Sequence, residues 1–111
     1  MKNSKSSKIV KIVVFVPETH ADAVREAMGK AGAGKMGNYS FCSFSVKGIG
    51  RFKPEKGAHP YIGKVGEIAQ VAEEKIETIC ERKKLKAVIS AIKKVHPYEG
   101  VALDIYPLEE I

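Results

Sequence analysis

The first apolar segment of the chain is a run rich in β-branched residues, Lys8 to Val16. A run with so little alternation is typical of a strand buried on both faces, so we predict a central strand that ends before Pro17. Apolar residues then recur at helical spacing between Val24 and Ala31, with charged residues around them. This pattern predicts a helix over Thr19 to Ala31.

Four further segments complete the pattern. Alternating side chains predict a strand over Tyr39 to Val46, and apolar positions that alternate with charged ones predict another over Ile68 to Cys80. Apolar residues at helical spacing predict a helix over Arg82 to Val95, which Pro97 prevents from continuing. A last alternating segment predicts a strand over Val101 to Tyr106.

The order β-α-β-β-α-β predicts an α+β, ferredoxin-like fold. In this arrangement a four-stranded antiparallel sheet carries both helices on one face. Its other face is bare unless something covers it, and exposed apolar patches of that size mark sites of association. We therefore expect the protein to be a homo-oligomer.

A long loop follows the predicted second strand, from Gly48 to Gly66. Loops of this length are uncommon in compact domains and are often functional. Its glycines and basic residues could cradle an anion, whereas its aromatic residues could equally dock on a neighbouring copy. The preceding segment, Gly32 to Gly37, matches the spacing G-x-G-x-x-G. A dinucleotide site needs that motif between a strand and a helix, and here the order is reversed, so we predict only a flexible turn.

The length and net charge of the chain bear on its domain number and on its partners. At 111 residues, the chain is predicted to form a disordered tail, residues 1–7, and a single domain, residues 8–111. Its net charge of +6 could attract nucleic acid, but a solvated lysine-rich face is the favoured interpretation, and no nucleic-acid-reading motif is present. Nucleic acid is therefore not expected as a partner.

No apolar run approaches the roughly 20 residues of a membrane helix. The segment Ile9 to Val16 superficially resembles a signal peptide, but Lys11 interrupts it and no cleavage site follows. The two cysteines, Cys42 and Cys80, are too few for a disulfide framework. We expect a cytoplasmic protein with no membrane partner.

Three motifs resemble the YqfO-type domain of the Nif-three (Ngg-interacting-factor-three) family. They read GAGKMGNYSFCSFSVKGIGRFKPEKGAHPYIGKVGE, EEKIET and HPYEGVALDIYPL. The match covers about Ile9 to Leu108, so the chain looks like a stand-alone copy of a domain that larger members carry as an insert. The domain is similar to PII and CutA proteins, which are ferredoxin-like and trimeric. The resemblance implies a homotrimer, with a dimer as the alternative.

Two departures limit what the resemblance implies. The larger members hold a dinuclear metal site in two flanking halves that are absent here, so neither that site nor their cyclohydrolase-like label is carried over. The family often has histidines where this chain has Lys35 and Phe41. That difference weakens any shared site built from the turn and the second strand.

The candidate ligand-binding residues lie in the long loop and in the HPYE segment. The loop offers positive charge and stacking surfaces, and HPYE offers an imidazole and a carboxylate. The favoured alternative for HPYE is a helix-ending turn whose polar groups cap the backbone. The candidates are Arg51, Lys53, His59, Tyr61, His96 and Glu99.

These residues predict a non-catalytic, PII/CutA-like regulatory or small-ligand-binding protein. The alternative is a CutA-like protein that binds divalent metals. We predict no catalytic residues, no metal ligands and no cofactor, because no nucleophile–base pair or metal-ligand cluster is visible. The predicted partners are other copies of the chain and an anionic small molecule.

Overall fold

The computed structural model describes residues 7–109. The elements in chain order are β1 (Ile9–Pro17), α1 (Glu18–Lys30), β2 (Phe44–Phe52), β3 (Ala69–Glu81), α2 (Leu85–Val95) and β4 (Leu103–Pro107), with a 3-10 turn (Arg82–Lys84) before α2. Within the described range, neither helix is long and apolar enough to cross a membrane. Most of the predicted disordered tail lies outside the described residues. Its last member, Ser7, is buried, and its carbonyl accepts a hydrogen bond from Arg82 Nε at 2.6 Å.

The four strands form one antiparallel sheet in the order β2-β3-β1-β4. This is the predicted ferredoxin-like arrangement. The β-branched strand β1 lies between β3 and β4, which explains its near-continuous apolar sequence. The prediction of a central first strand is therefore confirmed.

Both helices pack on the same face of the sheet. Alternate residues of β1 and β3 point into the core, where they meet the apolar face of each helix. Fully buried side chains dominate this core. They include Val10, Ile12, Val14 and Val16 from β1, Val24 and Met28 from α1, Ile76 from β3, and Val88 and Ile92 from α2.

The opposite face of the sheet, here called the open face, carries no helix. The register brings together the open-face residues of all four strands, so that Phe44, Glu77, Val13 and Asp104 form one row across the sheet. Val13 at the centre is buried, whereas Phe44 is 66% exposed. Apolar side chains at the outer strands are thus left facing outward.

The predicted position of the second strand was wrong. It was expected over Tyr39 to Val46, but β2 runs from Phe44 to Phe52, and the connecting loop is residues 53–68 instead of 48–66. The segment before β2 folds back on itself, because the amide of Cys42 donates to the carbonyl of Gly34 at 2.9 Å. Phe41 has a φ of +59°, which a regular strand does not allow.

The other boundaries differ from the predictions by three residues or fewer. Helix α1 begins at Glu18, one residue before its predicted start, and Pro17 is the last residue of β1. Helix α2 proper begins three residues later than predicted, because residues 82–84 form a 3-10 turn. Strand β4 begins at Leu103 instead of Val101.

Candidate ligand-binding site

A cavity of about 380 Å³ lies at one end of the open face. The ends of β1, β2 and β3 form its floor, the loop 53–68 forms one wall, and the segment 96–102 between α2 and β4 forms another. Its lining is mainly apolar and includes four aromatic side chains, Phe15, Phe52, Tyr61 and Tyr98. A largely apolar concavity with a few polar groups is typical of small-molecule sites.

The carboxylate of Glu73 lies in the floor of this cavity. The residue is only 8% exposed, and its Oε2 accepts a hydrogen bond from the hydroxyl of Tyr98 at 3.0 Å. Gly50 on the adjacent strand leaves room for it, because a Cβ at that position would overlap with both carboxylate oxygens. Burial of the phenol, together with the Glu73 carboxylate, raises the pKa of Tyr98 above its ordinary value. Tyr98 is therefore a protonated donor at neutral pH.

His96 fixes the beginning of the segment 96–102 by hydrogen bonds to the backbone. It is buried, its Nε2 lies 2.8 Å from the carbonyl oxygen of Phe15, and its Nδ1 lies 3.2 Å from the amide nitrogen of Tyr98. An amide that donates to Nδ1 and a carbonyl oxygen beside Nε2 fit the tautomer that carries its proton on Nε2. Both ring nitrogens thus bind the backbone. This geometry supports the interpretation of HPYE as a helix-ending turn, and it makes His96 a positioning residue for Tyr98.

The loop 53–68 packs against its own chain. The amide of His59 donates to Oε1 of Glu99 at 2.9 Å, and the ring of Tyr61 meets that of His20 edge-on, with centroids 5.8 Å apart. At the base of the loop, the amide of Gly66 donates to the carbonyl of Pro54 at 2.8 Å. These contacts tie the loop to α1 and to the segment 96–102, and so form the cavity walls.

The structure brings most of the predicted site residues to one place. Arg51, Tyr61 and Glu99 line the cavity, and His59 contacts it through its hydrogen bond to Glu99. His96 lies behind the wall, where it contacts Tyr98. Lys53 is exposed and does not line the cavity.

Several lining residues were not predicted. Glu73 alternates with apolar positions along the predicted strand Ile68 to Cys80, as Lys75 and Glu77 do, a pattern typical of a strand face exposed to solvent. Phe15 was predicted only as part of the central strand, and Tyr98 only as part of the HPYE turn. The one available signal was Tyr98 within HPYE, next to the histidine and glutamate that were predicted.

The charges at the cavity are unequal. Two acidic residues, Glu73 and Glu99, and one basic residue, Arg51, line it. Arg51 lies between Gly50 and Phe52 on β2, and since side chains alternate along a strand, it leaves the strand on the face opposite to theirs. Across residues 7–109, no group of three or more His, Cys, Asp or Glu residues is placed to hold a metal ion.

Comparison with solved structures defines the class of the fold. The periplasmic divalent cation tolerance protein CutA from Archaeoglobus fulgidus superimposes with a TM-score of 0.68 at 16% identity, over 92% of this chain and 85% of that one. GlnK of Bacillus subtilis superimposes with a TM-score of 0.54 at 17% identity, over 90% of this chain and 84% of that one. The chain thus has the ferredoxin-like fold of the CutA and PII proteins.

Closer relatives define the family. A Bacillus cereus protein related to NIF3 superimposes with a TM-score of 0.82 at 47% identity, over 94% of this chain and 26% of that one. A GTP cyclohydrolase 1 type 2 homolog from Halalkalibacterium halodurans is 54% identical over 103 residues, which are 93% of this chain and 28% of the relative. No family model matches the chain. The predicted resemblance is confirmed: the chain is similar to a YqfO-type domain of the Nif-three family.

The chain spans only about a quarter of the length of these relatives. Most of each relative therefore has no counterpart in the residues of this chain, and the activity in its name is not carried over. The similarity identifies the domain and its fold, and the function has to be argued from the domain itself.

Proposed function

We propose that the protein is a non-catalytic, PII/CutA-like homo-oligomer that binds a small regulatory ligand. The observation that carries this proposal is the cavity of about 380 Å³, which is largely apolar and holds a few convergent polar groups. A volume of that size falls in the range of small-molecule sites, roughly 300–1,000 Å³. The cavity walls are held by hydrogen bonds of His59, His96 and Tyr98, so the site is formed before a ligand arrives.

Self-association is the second part of the proposal. On the open face, Phe44 and Tyr106 are at least half exposed, and Val46 is 47% exposed. Exposed apolar side chains at both edges of this face favour association, and copies of the same chain are the partner we propose for it. We favour a trimer, with a dimer as the alternative. Because Phe15 and Glu73 also belong to the open face, a sister copy seated there would border the cavity.

Two finer expectations from the sequence stay part of the proposal. One is the cytoplasmic location. The other is the anionic ligand that the basic residues Arg51 and Lys53 predict, which competes with a cationic ligand as the occupant of the cavity. The alternative function, binding of a divalent metal ion, stays a prediction that metal analysis of the purified protein would test.

A cavity-filling substitution tests the ligand site. Ala58 lines the cavity, and Ala58→Trp would place an indole inside it. Ala87 is exposed on α2, so Ala87→Trp is a matched control with the same change in composition. Both variants and the parent protein would be screened against a library of small metabolites by ligand-observed NMR.

We expect ligands that bind the parent and the Ala87→Trp variant but not the Ala58→Trp variant. If the library yields no ligand, or yields only ligands that Ala58→Trp leaves unaffected, the cavity is not a ligand site and the proposed function fails.

A further inference from the structure

The polar groups of the cavity identify the charge of its ligand. Glu73 is more than nine-tenths buried, and its Oε2 accepts a hydrogen bond from the hydroxyl of Tyr98. Among residues 7–109, no side chain or amide donates to Oε1, and no lysine or arginine forms an ion pair with this carboxylate. Oε1 keeps contact with solvent in the cavity, where a carboxylate oxygen attracts a cation.

The neighbouring cationic side chains do not supply that charge. Arg51 leaves β2 on the face opposite to Gly50, the residue that faces the Glu73 carboxylate. Lys53 is exposed and lies outside the cavity lining. A second carboxylate, Glu99, also lines the cavity, and its Oε1 is held by the amide of His59. An anion entering here would therefore meet two like charges.

The cavity walls are suited to an organic cation. The rings of Phe15, Phe52, Tyr61 and Tyr98 all line the cavity, and those of Phe52 and Tyr98 pack edge to face with centroids 5.6 Å apart. The faces of aromatic rings attract cations, and alkylammonium groups are bound in this way in many proteins. The prolines and alanines between the rings provide apolar surface for the body of a ligand.

We propose that the cavity binds an organic ammonium ion, with the Glu73 carboxylate as its counter-ion and the aromatic rings around its apolar body. This inference rests on the proposed function, since it names the ligand class of the same cavity. It replaces the anionic ligand predicted from the loop sequence with a ligand of the opposite charge.

Three probes of similar shape and different charge test the inference. They are 2-phenylethylammonium, the neutral 2-phenylethanol and the anionic 3-phenylpropanoate. Binding to the full chain would be measured by isothermal titration calorimetry and by shifts of the amide resonances of Gly50 and Tyr98. We expect the ammonium probe to bind at least about tenfold more tightly than the other two, as a charge-assisted hydrogen bond to a buried carboxylate would produce.

Two variants test whether the Glu73 carboxylate is the counter-ion of the ammonium probe. Glu73→Gln should weaken the ammonium probe by about tenfold or more and leave 2-phenylethanol unchanged. Glu77→Gln is the matched control, because Glu77 lies on the same strand face but pairs with Lys11 and lies outside the cavity lining. If Glu73→Gln does not fold, as judged by circular dichroism, Phe52→Leu serves instead. It keeps the apolar surface but removes a ring, and should weaken the ammonium probe several-fold.

The outcomes separate the two proposals. If 3-phenylpropanoate or 2-phenylethanol binds as tightly as the ammonium probe, and Ala58→Trp abolishes that binding, the cavity is a ligand site and the assigned charge is wrong. If the ammonium probe binds equally to the Glu73→Gln and parent proteins, the assigned counter-ion is wrong. If none of the three probes binds, the inference is overturned, and the metabolite screen decides whether the proposed function falls with it.

Discussion

Replacing Gly34 by alanine should destabilise the domain far more than the same change at Gly37. Both glycines lie in the turn between α1 and β2, and both have positive φ, +80° and +56°. At Gly34 a Cβ would lie 2.5 Å from the carbonyl oxygen and 2.7 Å from the amide nitrogen of Cys42, which are backbone atoms that cannot rotate away. At Gly37 it would meet nothing within 4 Å.

The size of the effect follows from these contacts. A left-handed conformation costs an alanine about 1 kcal/mol at either position. At Gly34, relief of the overlap also strains two hydrogen bonds, from its own amide to Ile79 and from the Cys42 amide to its carbonyl. At about 1 kcal/mol each, Gly34→Ala should cost about 3 kcal/mol in total. For a domain of this size, that corresponds to a fall in Tm of roughly 12–24 °C, against roughly 4–8 °C for Gly37→Ala.

Thermal unfolding followed by circular dichroism measures the difference directly. All three proteins should be compared at one concentration, because the stability of an oligomer depends on it. Equal losses of stability in the two variants would refute the fold-back of the turn onto Cys42.

Two further predictions concern side chains that join separate elements. The raised pKa of Tyr98 means that the unfolded chain loses this proton at lower pH than the folded one does. The free energy of unfolding should therefore fall as pH rises above about 10, by less than about 1.4 kcal/mol per pH unit because the ring is only half-buried. The fall should be smaller in Tyr98→Phe. Parallel pH profiles of urea unfolding for the two proteins would contradict this. Arg25 on α1 binds Glu74 of β3 at 2.6 Å and also pairs with the fully exposed Asp22. Arg25→Met should lower the free energy of unfolding in urea by about 1–3 kcal/mol, and Asp22→Asn by less than about 1 kcal/mol. A larger loss in Asp22→Asn would contradict the conclusion that Glu74 is the more important partner.

The sequence was sufficient to predict the elements and their order, because both helices and β3 bury a periodic apolar face and β1 is almost continuously apolar. It was not sufficient to place β2. The segment from Tyr39 to Val46 alternates like a strand, but the fold-back that displaces it depends on hydrogen bonds from Gly34 to Cys42 and to Ile79. Such contacts between distant residues leave no local pattern.

The candidate site was predictable only in part for the same reason. The loop and the HPYE segment were recognisable, because their composition differs from that of the strands around them. Glu73 was not, because its alternation along β3 is that of a solvent-exposed residue. It is buried only because Tyr98, 25 residues away, packs over it and Gly50 leaves space beside it.

The native mass of the purified protein tests the central claim, that sister copies cover the open face. We expect a multiple of the 12.1 kDa chain by native mass spectrometry, three copies in the favoured case. Val46→Glu, on the open face, should reduce this to the mass of one chain, whereas Ile49→Glu should not. Ile49 is 58% exposed on the same strand but faces the other way, so it is a matched control. A parent protein with the mass of one chain, or an assembly that Ile49→Glu disrupts and Val46→Glu does not, would contradict the account.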